Sequence, residues 1–84
     1  MRVHDMTISR SFQPEDLQML TKHANRFSSD IKIRFEQREL ARMEIDVKSL
    51  LGMMMLPIHK GERITLVTKG PDEKEAIDYM SELL

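Results

Sequence analysis

The 84-residue sequence predicts an α+β open sandwich, with four antiparallel strands carrying all three helices on one face. Three observations predict it. Apolar and polar residues alternate with the period of a strand at Ile31, Ile33 and Phe35 against Lys32, Arg34 and Glu36. The same alternation returns at Met43, Ile45 and Val47 against Glu44, Asp46 and Lys48. Helical spacing links Leu17, Leu20, Ala24 and Phe27, and a second apolar stripe is formed by Ala76, Ile77, Met80, Leu83 and Leu84. The expected order is strand, helix, strand, strand, helix, strand, helix, with no repeat or low-complexity linker, as one domain over 1–84.

The elements follow in chain order. Met6 and Ile8 alternate with Thr7 and Ser9, which predicts a short first strand over 6–9. Ser11, Pro14, Glu15 and Asp16 then read as a helix entry. Proline is tolerated in the first turn, where its missing N–H has no partner to lose, and the two acids face the positive end of the helix dipole. The first helix should run to about Asn25. The two alternating segments above form a hairpin, with its turn at 37–40 and no Asn-Gly or Asp-Gly signal. Ser49 precedes the apolar stretch Leu50 to Leu56, stopped by Pro57 and Gly61, so it is the expected N-cap of a short second helix. Ile64, Leu66 and Thr68 share one face of a strand over 63–69. Gly70-Pro71 turns the chain, and Asp72 with Glu75 predicts a capping box for the last helix.

Composition removes several functions. Thirteen Lys and Arg against fourteen Asp and Glu give a net charge of −1, interspersed rather than gathered in a basic stripe, so nucleic acid is not an expected partner. There is no cysteine, hence no disulfide framework or thiolate metal site, and a reducing cytoplasm is the expected compartment. No apolar run approaches the roughly 20 residues that span a bilayer, and the first residues do not read as a signal peptide. A domain this small buries only about 60% of its unfolded surface, which leaves little room for an enclosed small-molecule site.

Chemistry has few candidate carriers. His4, His23 and His59 have no ligand spacing and read as solvated surface, so no metal or other cofactor is expected. No serine has a nucleophile context and the three glycines are isolated, so neither hydrolysis nor a phosphate-binding loop is expected. Ser49 is the sharpest single residue. A phosphate there would add about −1.5 to −2 charges beside an apolar helix. Leu50, Leu51 and Met54 on that helix are either core or an adaptable partner surface.

The run Val47-Lys48-Ser49-Leu50-Leu51-Gly52-Met53-Met54 carries a resemblance. With Phe27, Asp30 and Ile31 before it and Leu56, Lys60-Gly61, Ile64-Thr65, Gly70, Asp72-Glu73, Ala76 and Leu83 after it, it resembles HPr, the histidine phosphocarrier family of the sugar phosphotransferase system. The resemblance implies an HPr-like sandwich. It also implies that Ser49 matches the regulatory serine that an ATP-dependent kinase phosphorylates in Gram-positive members. The implied partners are proteins, HPr kinase/phosphorylase and a catabolite-control transcription regulator, meeting Lys48, Leu50, Leu51 and Met54.

One half of the family pattern is missing. Where HPr has a Gly-Leu-His-Ala-Arg-Pro-Ala-like stretch, this chain has Ser11-Phe12-Gln13-Pro14-Glu15-Asp16-Leu17, without histidine. Carried back from Phe27 without gaps, the phosphohistidine falls on Gln13 and the family's arginine on Glu15. Aligning the first strand through Met6 and Ile8 instead requires a short deletion in this loop, and the hairpin at 37–40 is longer than in HPr. An amide at Gln13 is no phosphoryl acceptor, and Glu15 and Asp16 would repel the incoming group. In this the chain is similar to the catabolite-repression homologues of the family. The reading is a non-catalytic regulatory or adaptor protein. The alternatives are a phosphocarrier using His23 or His59, and an interaction module without phosphorylation.

Overall fold

The computed structural model describes residues 1–36, 43–55 and 58–84. Its elements are β1 (Arg2–Thr7), α1 (Pro14–Ala24), β2 (Asp30–Phe35), β3 (Glu44–Asp46), α2 (Leu50–Met55), β4 (Arg63–Lys69) and α3 (Glu73–Leu83). The strands form one antiparallel sheet in the order β1-β4-β2-β3, so the last strand in the chain lies between the first and second. The α+β sandwich and the element order stand as expected. The hairpin turn at 37–40, and Leu56 with Pro57 at the end of the second helix, lie outside the described residues.

Alternation decides which face of the sheet is covered. Ile31, Ile33 and Phe35 of β2, Ile45 of β3 and Ile64 and Leu66 of β4 are buried, and they pack with Leu20 and Ala24 of α1, Met53 of α2 and Ala76, Ile77 and Met80 of α3. The opposite face carries Asp30, Lys32, Arg34, Glu44, Arg63 and Lys69, all exposed. There Arg34 meets Glu44 at 3.1 Å and Arg63 meets Glu36 at 3.4 Å. Pairs this exposed keep the face solvated more than they stabilise it.

The first strand differs from its expected position. β1 covers Arg2–Thr7 rather than 6–9, pairing from Arg2 opposite Thr68 to Thr7 opposite Arg63. As an edge strand it is held by its backbone, and the positions opposite the buried Thr68 and Leu66 are Arg2 and His4. Its inward face is therefore polar at the start, and no apolar alternation marks it. Ile8 is buried just beyond the strand, where its N–H donates to Glu62 O at 2.9 Å. Met43 also departs from expectation. It precedes β3 and is 43% exposed, since the strand narrows to three residues at the sheet edge.

The entry to α3 is built differently from the expected capping box. Asp72 turns its carboxylate away from its own helix to accept N–H groups from Ser28 and Ser29, each at 2.9 Å, and the Ser29 hydroxyl. Glu73 rather than Glu75 folds back, accepting Gly70 N–H at 3.1 Å. Hydrogen bonds from the Ser29 hydroxyl and the Ser28 amide hold the Asp72 carboxyl below the usual carboxylate range. Gly70 has φ +147°, and a β-carbon there would lie 2.7 Å from Ser29 Cα, so this junction needs glycine both for its backbone and for its space. Across the helix layer, Tyr79 of α3 packs on Phe27 with ring centres 5.7 Å apart. Its hydroxyl lies 2.9 Å from His23 Nδ1. His23 is thus half-buried and hydrogen-bonded, not the free surface residue expected.

Candidate functional site

The last buried side chain of the hairpin, Val47, directs the chain over the sheet edge, and the following residues form a tight turn into α2. Val47 N–H donates to Ile31 O at 3.0 Å and Ser49 N–H donates to Asp46 O at 3.0 Å. Ser49 is the N-cap that its position predicts. Its hydroxyl oxygen accepts Gly52 N–H at 3.1 Å, while its carbonyl accepts Met53 N–H at 3.0 Å. The side chain thus satisfies one orphan donor of the first turn, and the carbonyl accepts the first regular bond of the helix.

The residues before Ser49 are tied to α1. Lys48 Nζ donates to Phe27 O at 2.6 Å, just past the end of α1, where the positive charge complements the helix dipole. Lys48 O accepts Asn25 Nδ2 at 3.2 Å, and the same amide donates to Thr21 O at 2.8 Å. Lys48 is therefore half-buried and engaged within the chain, a role its sequence position did not announce.

The helix presents a divided surface. Met53 is fully buried, and Leu50 is half-buried. Leu51, Met54 and Met55 are 73%, 58% and 72% exposed. Of the three residues expected to make an apolar surface, Leu51 and Met54 thus lie outward, while Leu50 turns partly under the helix. Met55 belongs to the patch as well. In a six-residue helix only one side can face the core, and Met53 occupies it.

At the start of α1, Gln13 is the N-cap residue and Pro14 the first helical residue. Asp16 accepts the Gln13 N–H on its carboxylate at 2.9 Å, and Asp16 N–H donates to Gln13 O at 2.9 Å. A carboxylate of the chain itself thus occupies the head of the helix, where a free anion would otherwise find donors. Glu15 adds a second exposed acid. Arg10 lies over the Phe12 ring with its guanidinium carbon 5.1 Å from the centroid. The Gln13 loop and α2 meet along a shallow depression of about 150 Å³, lined by Ser11, Phe12, Leu17, Met53, Met54 and His59 among others. Met53 and Met54 of the helix that Ser49 caps thus share this depression with Ser11 and Phe12, which precede Gln13. Among the described residues, no group of His, Asp and Glu converges in the manner of a metal site, and no helix is long and apolar enough to cross a membrane.

Known proteins share this fold. A family model described as the PTS HPr component phosphorylation site matches residues 17–84, beginning after the Gln13 loop. The chain is 32% identical over 76 residues to the HPr-like protein Crh of Halalkalibacterium halodurans, covering 90% of this chain and 84% of that protein. To the phosphocarrier protein HPr of Cupriavidus necator it is 40% identical over 65 residues, covering 77% and 67%. Its fold superposes on the crystal structure of HPr from Bacillus anthracis with a TM-score of 0.84 at 27% identity, covering 99% and 95% of the two chains. With the family matched from α1 to the last residue and the sandwich reproduced in full, the chain belongs to the HPr family of the phosphotransferase system.

Proposed function

We propose that this chain is a non-catalytic regulatory or adaptor member of the HPr family, acting in the cytoplasm through Ser49 and the apolar surface beside it. The observation that carries the reading is the contrast between the two helix starts. At α2, the Ser49 hydroxyl sits next to the exposed Leu51, Met54 and Met55. At the start of α1, residues 11–17 contain no histidine, and the Asp16 carboxylate takes the Gln13 N–H. The likeness to Crh of Halalkalibacterium halodurans supports it.

In this reading Gln13 stands where the family carries its phosphohistidine, and phosphoryl carriage through that loop is lost. An amide nitrogen is not nucleophilic enough to take the group, and Asp16 and Glu15 oppose it. Ser49 takes the regulatory phosphate instead, from HPr kinase/phosphorylase with ATP. The phosphate changes the charge beside Leu51 and Met54, favouring a partner that presents arginines, such as a catabolite-control transcription regulator. Leu50 and Lys48 serve this surface from behind, the first as a half-buried support and the second by fixing the turn to α1.

Incubation with HPr kinase and ATP, read by intact mass, tests the reading. The expected result is one added phosphate, absent from the Ser49→Ala variant. A chain that takes none, or takes it elsewhere, would overturn the regulatory role. Incubation with phosphoenolpyruvate and the general phosphotransferase enzyme should label no residue, and a label on His23 or His59 would restore the carrier alternative.

A further inference from the structure

We infer that Gly52 is a positioning residue for modification of Ser49: by having no side chain it leaves the acceptor oxygen reachable. This rests on the regulatory reading above and deepens it. Two of the three glycines have backbone reasons to be glycine, Gly61 with φ +90° and Gly70 with φ +147°. Gly52 has none, because its φ is not positive. It also lies inside a six-residue helix, where alanine would be the stronger helix former.

What glycine provides here is space. A β-carbon at this position would lie 3.3 Å from Ser49 Oγ, 3.4 Å from Ser49 Cβ and 3.7 Å from Asp46 O. The first of these is closer than ordinary van der Waals contact. The Gly52 N–H meanwhile holds the same oxygen at 3.1 Å, so one residue both orients the hydroxyl and leaves its flank open. In the transfer, Ser49 Oγ forms a bond to the γ-phosphorus of ATP, and the bond from that phosphorus to the β,γ-bridging oxygen breaks. ADP leaves with the electron pair, and the hydroxyl proton passes to a base on the kinase. The new phosphoryl oxygens need the room beside Oγ that a β-carbon would take. Productive geometry at a reacting atom must be held to within about 0.5 Å, so crowding at Oγ slows such a step.

The test compares the wild-type chain with Gly52→Ala using the kinase and ATP, with far-UV circular dichroism and thermal unfolding on both. The expected result is a fall in kcat of about tenfold or more with KM within about twofold, since the exposed Leu51 and Met54 surface is untouched. A role in helix stability alone would leave kcat unchanged. A second measurement removes the acceptor: combined with Ser49→Ala, the Gly52→Ala change should stabilise the chain more than it does in the wild type, because no hydroxyl remains to crowd. Equal stability effects in the two backgrounds would overturn the inference, even if the single variant folds poorly. If the wild type takes phosphate and Gly52→Ala takes it equally fast, this inference fails alone. A wild type that takes none defeats the regulatory reading and this one with it.

Discussion

Ser49 does structural work whatever else it does. Its hydroxyl is the acceptor for Gly52 N–H, so Ser49→Ala should destabilise the fold by about 0.5–2 kcal/mol, seen as a lower urea midpoint with unchanged slope. Stability and phosphate acceptance are thus separate readouts at one residue. Gln13 offers a second test at the same scale. Gln13→His should not by itself bring back transfer from phosphoenolpyruvate, because Asp16 would still hold the backbone N–H and the exposed Glu15 would still add negative charge beside it. Labelled histidine in that single variant would show that the acids do not matter. Asp72 makes a pH-dependent contribution. Its carboxyl is held below the ordinary value of 3.8, so the folded state binds protons less readily than the unfolded one there. The stability it contributes is complete above that value and is lost as pH falls through the lower, folded value. Acid unfolding of Asp72→Asn should accordingly be shallower in that range than that of the wild type.

At the scale of elements, the junction of α3 with the loop after α1 is close-packed at Gly70 and Ser29. Gly70→Ala would press a β-carbon against Ser29 Cα and strain a positive φ, and should cost about 1–3 kcal/mol in thermal unfolding. The turn at Gly70 and the helix entry at Asp72 were visible in the sequence, but their contact with Ser29 was not. Ser29 and Asp72 are 43 positions apart, and the local spacing of Asp72 and Glu75 suggested a capping box that the long-range contact displaces. The elements that could be read were those with one face against the core. β2 keeps strict alternation because it lies between two strands and under the helices, and Ile33→Ala should lose about 2–5 kcal/mol as a buried large-to-small change. β1 lost its signal for the opposite reason, since Arg2 and His4 stand where apolar residues would mark an inner face. At the site, Ser49 and its helix were legible from the serine followed by an apolar run. The engagement of Lys48 with Phe27 O was not, because it depends on where α1 happens to end.

The whole molecule divides its labour between two faces. The open side of the sheet is a lattice of paired and solvated charges around Arg34, Glu44, Arg63 and Glu36, while α2 presents the exposed Leu51, Met54 and Met55 beside the half-buried Phe12 and Leu17. Partner binding is therefore expected from one direction. Leu51→Asp or Met54→Asp should abolish it with little change in unfolding temperature, since both side chains are exposed, whereas Lys32→Asp should leave it intact.

The strand order has a consequence for how the chain acquires its shape. β1 and β2 never touch each other in the sheet; each waits for β4, which lies between them and comes more than thirty residues after β2 begins. A nascent chain emerging up to β3 thus has a hairpin and a helix but no central strand, and its first six-residue strand has nothing to pair with. Closure must come late, through contacts distant in sequence, a topology that folds slowly compared with local helical packing. Nascent chains stalled before residue 63 should be open to protease throughout, with protection appearing in a single step once the central strand and α3 have been made.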